Sequence, residues 1–393
     1  MREAPYAWVV VWATFFALAI IFGVSYSFAA FFASFAGEFD ARRADVSLVF
    51  GLSGGVYFVF GAGAGMLADR FGPRAVTCTG MLLIAAGLLL CSFAGSMFTV
   101  YAAYGVGVGL GIALVYTPSI ACVQPWFTQR RGLAAGLASA GIGAGTVAVP
   151  LIATAAITAL QWRDAMRAIA AGVLMLGLGA AWLLRRAPLA SGARSGQIPG
   201  LSLGEALRDR RFWWLYLSIV LAAPSMFIPF AHVSAAARDM GIDAASAVGL
   251  VGLIGIGSLV GRFAIGALAD RLGRTLTLLL MQASMGLSFL AWFGAGSYST
   301  LVLFALWFGL SYGGIVSLLP AISMDLFGAR AVAGIIGTLY SGAALGNLFG
   351  PVLAGSAFDH SGSYVPVLWT CMGLSTLAAA ASARLLTTRA AAY

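Results

Sequence analysis

Charge is what this chain has least of. Only 9% of its 393 residues are charged and not one is lysine, whereas ordinary soluble domains carry about 25% charged residues. A composition that is 61% hydrophobic excludes a water-soluble enzyme. Cysteine is also sparse: Cys78, Cys91, Cys122 and Cys371 each lie within an apolar run and show no paired spacing, which argues against a disulfide framework or a zinc site. Neither a Walker loop nor a nucleophile constellation occurs. The glycine runs at 105–111 and 141–145 follow no strand, and no acidic residue stands where a dinucleotide fold needs one. No cofactor or metal is therefore expected, and energy must come from gradients. The net charge of +9 is carried by arginines that punctuate the apolar runs without clustering, so nucleic acid is not an expected partner. No protein partner is implied.

Long apolar runs are what the sequence has in abundance. A helix needs roughly 20 apolar residues to cross a bilayer, and twelve runs qualify: 7–35, 46–67, 75–94, 98–122, 132–158, 165–185, 212–236, 246–268, 275–295, 299–324, 331–355 and 364–387. They lack the alternation of barrel strands and exceed their length, so the expected fold is an all-α membrane protein. The first run is too long for a signal peptide and follows a single basic residue, Arg2. With the N-terminus in the cytoplasm, sixteen arginines fall inside and only Arg42, Arg43, Arg163, Arg167 and Arg238 fall outside, which obeys the positive-inside bias. An even span number returns the C-terminus to the same side. The expected location is the plasma (inner) membrane of a bacterium, with the lipid bilayer as surroundings.

The two halves of the sequence repeat. Gly65-Met-Leu-Ala-Asp69-Arg70-Phe-Gly72-Pro-Arg74 returns about 200 residues later as Gly266-Ala-Leu-Ala-Asp270-Arg271-Leu-Gly273-Arg274-Thr275, and Pro118 and Pro150 keep similar offsets to Pro320 and Pro351. Such a tandem suggests two bundles related by an axis along the membrane normal. The expected organisation is a six-helix bundle at 1–185, a cytoplasmic linker at 186–211 and a second six-helix bundle at 212–393.

The Gly-x-x-x-Asp-Arg-x-Gly-x-Arg loop resembles the signature of the major facilitator superfamily. Ala7-Trp8-Val9-Val10-Val11, Gly23-Val-Ser25-Tyr26-Ser-Phe28, the stretch from Trp126 through Arg130-Arg131-Gly132 to Gly141, and the Trp162-Arg163 pair are similar to the monocarboxylate transporter family and its bacterial oxalate/formate-type relatives. That resemblance implies the major facilitator fold of twelve transmembrane helices in two six-helix bundles. It also implies alternating access and a gating role for Asp69, Arg70, Arg74, Asp270, Arg271 and Arg274, which in relatives latch the cytoplasmic side.

No acidic residue lies deep in an apolar run, but one arginine does. Arg262, in Ser258-Leu-Val-Gly261-Arg262-Phe, costs about 2.5–3.5 kcal/mol on insertion scales when placed at the bilayer centre. With no carboxylate in the same layer to offset it, the guanidinium is expected to face a wet cavity and pair with an incoming carboxylate, to which its planar fork is suited. The bland alternative is a snorkelling, structural arginine. The family resemblance weighs against that alternative, since the eighth-helix Arg is the carboxylate anchor proposed for monocarboxylate transporters.

The resemblance places the first, fourth, seventh and tenth helices around the path. Tyr26, Tyr116, His232 and Tyr312 thereby join Arg262 as candidate substrate ligands, with Asn347 and Tyr340 on the eleventh helix behind them. Each tyrosine has a packing role as its bland alternative. Family members that couple to protons carry an Asp and a Lys where this chain has Ser258 and Ala30. His232 and Asp239 are the remaining titratable candidates for proton coupling, His232 because imidazole titrates near neutral pH; their plain alternatives are a neutral helix histidine and a surface partner of Arg238. The expected activity is secondary transport of a small, lactate- or pyruvate-like monocarboxylate. A dicarboxylate or oxalate/formate-type exchanger is the nearest alternative, and a non-transporting membrane sensor a more distant one.

Overall fold

The computed structural model describes residues 5–127, 131–187, 200–328 and 331–390. Twelve long helices account for most of them: α1 (Pro5–Glu38), α2 (Arg43–Phe71), α3 (Pro73–Ser92), α4 (Met97–Val123), α5 (131–160), α6 (162–183), α7 (Arg210–Asp239), α8 (Ala244–Leu272), α9 (Arg274–Phe293), α10 (Tyr298–Phe327), α11 (Val332–Ser361) and α12 (Val365–Ala390). By length and composition, ten helical stretches can cross a membrane. One of those, Gly136–Leu183, holds two spans, because Gln161 adopts φ +68° and breaks the helical path between α5 and α6. The remaining long helix is α11 (Val332–Ser361). All twelve helices overlap the apolar runs of the sequence.

The packing repeats between the halves. α1 lies along α5, α2 along α4 and α3 along α6, and the same three pairings recur as α7 with α11, α8 with α10 and α9 with α12. The halves meet where α2 packs on α11, α5 on α8 and α1 on α7. Small residues permit the closest of these approaches: a Cβ on Gly141 or Gly145 would run into the backbone of Phe15 or Ala19 on α1. Outward-facing apolar side chains such as Phe16, Phe60, Met175, Trp182, Leu353 and Trp369 form a belt that water would not tolerate and lipid does.

Between α6 and α7, Ser202 and Glu205 form a reciprocal capping box on the one-turn helix Leu203–Ala206. Just before it, the Leu201 amide donates to Phe327 O at 2.7 Å. The described end of the linker is thus stitched to the end of α10.

Candidate substrate site and the closed end beside it

Arg262 stands on α8 roughly 15 Å before the helix end at Leu272, at about 1.5 Å per residue. Its side chain is half-buried and borders a cavity of about 70 Å³. Its Nε is buried without a hydrogen-bond partner, and no carboxylate pairs with it among the described residues. Arg262 is also the sole charged side chain among the described residues lining that cavity.

Tyr116 from α4 and Tyr312 from α10 border the cavity with it, joined by Tyr57 from α2 and Tyr340 from α11. The guanidinium lies within electrostatic reach of Tyr116, Tyr312 and Tyr340. The rest of the lining is almost wholly apolar, including Phe22, Phe58, Met226, Phe227 and Leu319. Gln282 borders the cavity too, but its amide is committed: Nε2 donates to Ser218 Oγ and Oε1 accepts from Ser382 Oγ, each at 2.7 Å. That buried network ties α9 to α7 and α12.

The other expected ligands stand off the cavity. Tyr26 sits behind it, its hydroxyl 3.3 Å from that of Tyr312 and its ring stacked on Phe230 at 4.2 Å. Asn347 is buried against Gly54 of α2, where a Cβ would collide with its amide, and its Oδ1 has no partner.

His232 is farther still, sealed where α7, α2 and α11 meet. Its Nε2 lies 2.8 Å from Pro351 O and 3.1 Å from Ser47 Oγ, and its Nδ1 lies 3.0 Å from the Tyr364 hydroxyl. A carbonyl can only accept, so the network assigns the hydrogen to Nε2 and leaves Nδ1 to accept from Tyr364. Burial holds the Tyr364 hydroxyl above the ordinary tyrosine range, which keeps it a neutral donor.

Tyr364 also accepts from Arg43 Nη1 at 2.9 Å, and Arg43 Nη2 donates to Asp239 Oδ1. Asp239 therefore pairs with Arg43 of the other half. The expected alternative, pairing with neighbouring Arg238, is not what the structure contains. Asp359 on α11 completes the contact by accepting from the Arg43 and Ala44 amides at 3.2 and 3.0 Å, a carboxylate placed at a helix N-terminus. This end of the molecule is closed by charged contacts between halves.

The signature loops lie at the opposite end, and none of their described side chains bridges the halves. Arg274 pairs with Asp325 of the same half at 2.6 Å. Arg74 lies over Trp182 and Arg70 over Phe71, while Arg271 is exposed. The side chains of Asp69 and Asp270 lie outside the described residues, as do Arg130 and Arg330.

Sequence reasoning did not single out Tyr57, Phe58 or the Arg43 contact. The signal for Arg43 was present: Arg42 and Arg43 are exceptions to the positive-inside bias, and a basic pair on the disfavoured side invites a search for partners. Tyr57 offered no comparable sign, because nothing in a helix sequence distinguishes a cavity-facing tyrosine from a packed one.

A profile of the Major Facilitator Superfamily matches residues 14–327 and 225–392. Monocarboxylate transporter 13 of Bos taurus is 33% identical over 365 residues, spanning 92% of this chain and 85% of the relative. Monocarboxylate transporter 3 of Rattus norvegicus is 31% identical over 377 residues, spanning 92% and 76%. Among solved structures, a bacterial homologue of the human lysosomal transporter Spinster, in an inward-facing and unoccupied conformation, superposes with a TM-score of 0.72 at 17% identity over 98% of this chain and 96% of that one, a likeness of fold. Twelve helices in two packed halves, a superfamily match along nearly the whole length and relatives of this identity lead to one conclusion: the chain belongs to the major facilitator superfamily, within the monocarboxylate transporter family.

Proposed function

We propose that this secondary transporter carries small monocarboxylates, lactate- or pyruvate-like in bearing one carboxylate, by alternating access, with Arg262 as the anchor. The observation that carries the reading is a half-buried guanidinium, unpaired among the described residues, on the wall of a cavity to which no other described residue brings a charge. An incoming carboxylate supplies the missing partner, and charge-assisted, bidentate hydrogen bonds are the strong ones. Tyr116 and Tyr312 are placed to orient the rest of the cargo, with Tyr26 acting through Tyr312.

A second carboxylate on the cargo would find no second cation among the described residues of this lining. That weighs against the dicarboxylate or oxalate/formate-type exchanger.

The halves 1–185 and 212–393 would rock about the cavity, with the linker 186–211 spanning them on the cytoplasmic side. In that arrangement both termini are cytoplasmic, and the Arg43 contacts close the outer face of an inner-membrane protein. His232 and Asp239 belong to this closure, so a role for either in proton coupling would act on opening rather than on the bound acid.

Proteoliposomes loaded with unlabelled acid and offered labelled carboxylates, sugars and amines, with and without a pH gradient, test the reading. Carboxylates alone should enter. Uptake confined to sugars or amines would overturn it, and accumulation driven by the pH gradient would establish symport.

A further inference from the structure

The topology read from the sequence puts five arginines on the side that the positive-inside bias disfavours, and four of them meet a carboxylate. Arg42 pairs with Asp45, Arg43 with Asp239, Arg163 with Glu38 and Arg167 with Asp164. Arg238 is the exception. No carboxylate pairs with it among the described residues, and its half-buried side chain carries a buried Nε without a hydrogen-bond partner. One turn deeper on α7, Ser234 is 2% exposed and its Oγ is also buried without a partner. Helix positions four apart share a face with Cβ atoms about 5–6 Å apart, and the Cα–Cβ bond of Arg238 leans back along the helix towards Ser234.

That face continues the cavity wall. Ser234 and Arg238 follow Phe227 by seven and eleven positions, which at 3.6 residues per turn brings each back to within roughly 20° of it. Phe227 borders the cavity beside Arg262, and Phe230, between Phe227 and Ser234 in the chain, stacks on Tyr26. One stripe of α7 therefore runs from the cavity to the closed end, over roughly 16 Å of helix, and its outer part bears two polar groups without partners. Resting on the carboxylate cargo proposed above, we propose that Arg238 and Ser234 form a second, outer binding site for the cargo's carboxylate, filled when the Arg43 contact parts and before the acid reaches Arg262. The guanidinium fork suits a carboxylate, and the hydroxyl of Ser234 donates a further hydrogen bond. Asp239 does not compete, because adjacent helix positions face away from each other. A single cation at a wet mouth holds an anion weakly, which lets the acid move on.

Phenylglyoxal, which condenses with accessible guanidinium groups, tests this on the full-length protein in nanodiscs, with modification of Arg238 and Arg262 quantified separately by peptide mass spectrometry. Arg43→Ala, which frees the closed end, should speed modification of Arg238 by about fivefold. In the Arg43→Ala, Arg262→Leu double variant, which has no anchor through which cargo could drive closure, lactate should still protect Arg238. Uncharged lactamide, and sodium chloride at equal ionic strength, should not. Adding Ser234→Ala should raise the lactate needed for protection by about tenfold. Modification of Arg238 that ignores lactate, protection by lactamide or chloride equal to that by lactate, or an Arg238 that phenylglyoxal never reaches overturns the outer site and leaves the anchor standing. The anchor is read in the Arg43→Ala single variant, where failure of lactate to protect Arg262 overturns the anchor and not the outer site.

Discussion

Arg43 on α2 reaches across to Asp239 on α7, joining residues 196 positions apart and belonging to different halves of the molecule. The pair is reinforced by the Tyr364 hydroxyl, by Phe358 beneath the guanidinium at 4.0 Å, and by Asp359 on the α2 N-terminus. A partly exposed pair contributes only about 0–1 kcal/mol, which suits a contact that must open in every cycle. Arg43→Ala should therefore shift the population towards the conformation open at this end by about fivefold, since about 1 kcal/mol corresponds to that ratio. Distances between spin labels at Asp40 and Ala245 would report the opening. The swap of Arg43→Asp with Asp239→Arg should restore part of the closure, and a distance distribution unaffected by Arg43→Ala would contradict this role.

His232 is fully buried and bonded on both ring nitrogens. Removing it leaves the buried Tyr364 hydroxyl hydrogen without its acceptor, and an unsatisfied buried polar group costs about 1–3 kcal/mol. His232→Ala should lower the thermal unfolding midpoint in detergent clearly more than His232→Gln does, because glutamine replaces part of the network. Should His232 instead touch the cargo, the alanine variant would lose carboxylate binding at unchanged stability.

Tyr26 and Tyr312 bridge α1 and α10 through their hydroxyls. Tyr312→Phe removes that bond together with a polar group on the cavity wall. Neutral hydrogen bonds contribute about 0.5–1.5 kcal/mol net, so cargo affinity should weaken by about two- to tenfold. Tyr26→Phe, behind the wall, should have the smaller effect. Competition binding with a fixed labelled acid ranks the two, and the reverse order would place Tyr26 in direct contact with cargo.

Gly54 admits Asn347 against the α2 backbone, where a Cβ would collide with the amide. Gly54→Val should push α2 from α11 and impair transport without altering the charge of the cavity. Gly37→Ala, where a Cβ meets open space, is its control and should behave as wild type in the same uptake assay. Equal activity of the two variants would show that the α2–α11 contact tolerates separation.

The spans were legible because hydrocarbon imposes length and apolarity on every crossing helix, so twelve runs could be marked without knowledge of their neighbours. The repeat around Asp69 and Asp270 announced two halves, and Arg262 was conspicuous because a charge inside an apolar run is expensive. Partners were the illegible part. His232 is claimed by Ser47, Pro351 and Tyr364, each more than a hundred positions away, and no local pattern encodes such meetings. Tyr57 and Phe58 face the cavity through the rotation of α2, which the all-round apolarity of the helix conceals. The break at Gln161 was visible as a gap between runs, while the backbone dihedral that makes it was not.

Everything in the functional reading depends on the guanidinium in the cavity wall. Labelled carboxylate uptake by proteoliposomes bearing Arg262→Leu, compared with wild type at equal reconstituted amount, is the most direct measurement. Truncating one side of a desolvated charge pair costs about 2 kcal/mol or more, so uptake at subsaturating substrate should fall about 30-fold or further, with the variant still inserted and folded. Uptake at the wild-type rate would contradict carboxylate anchoring at Arg262.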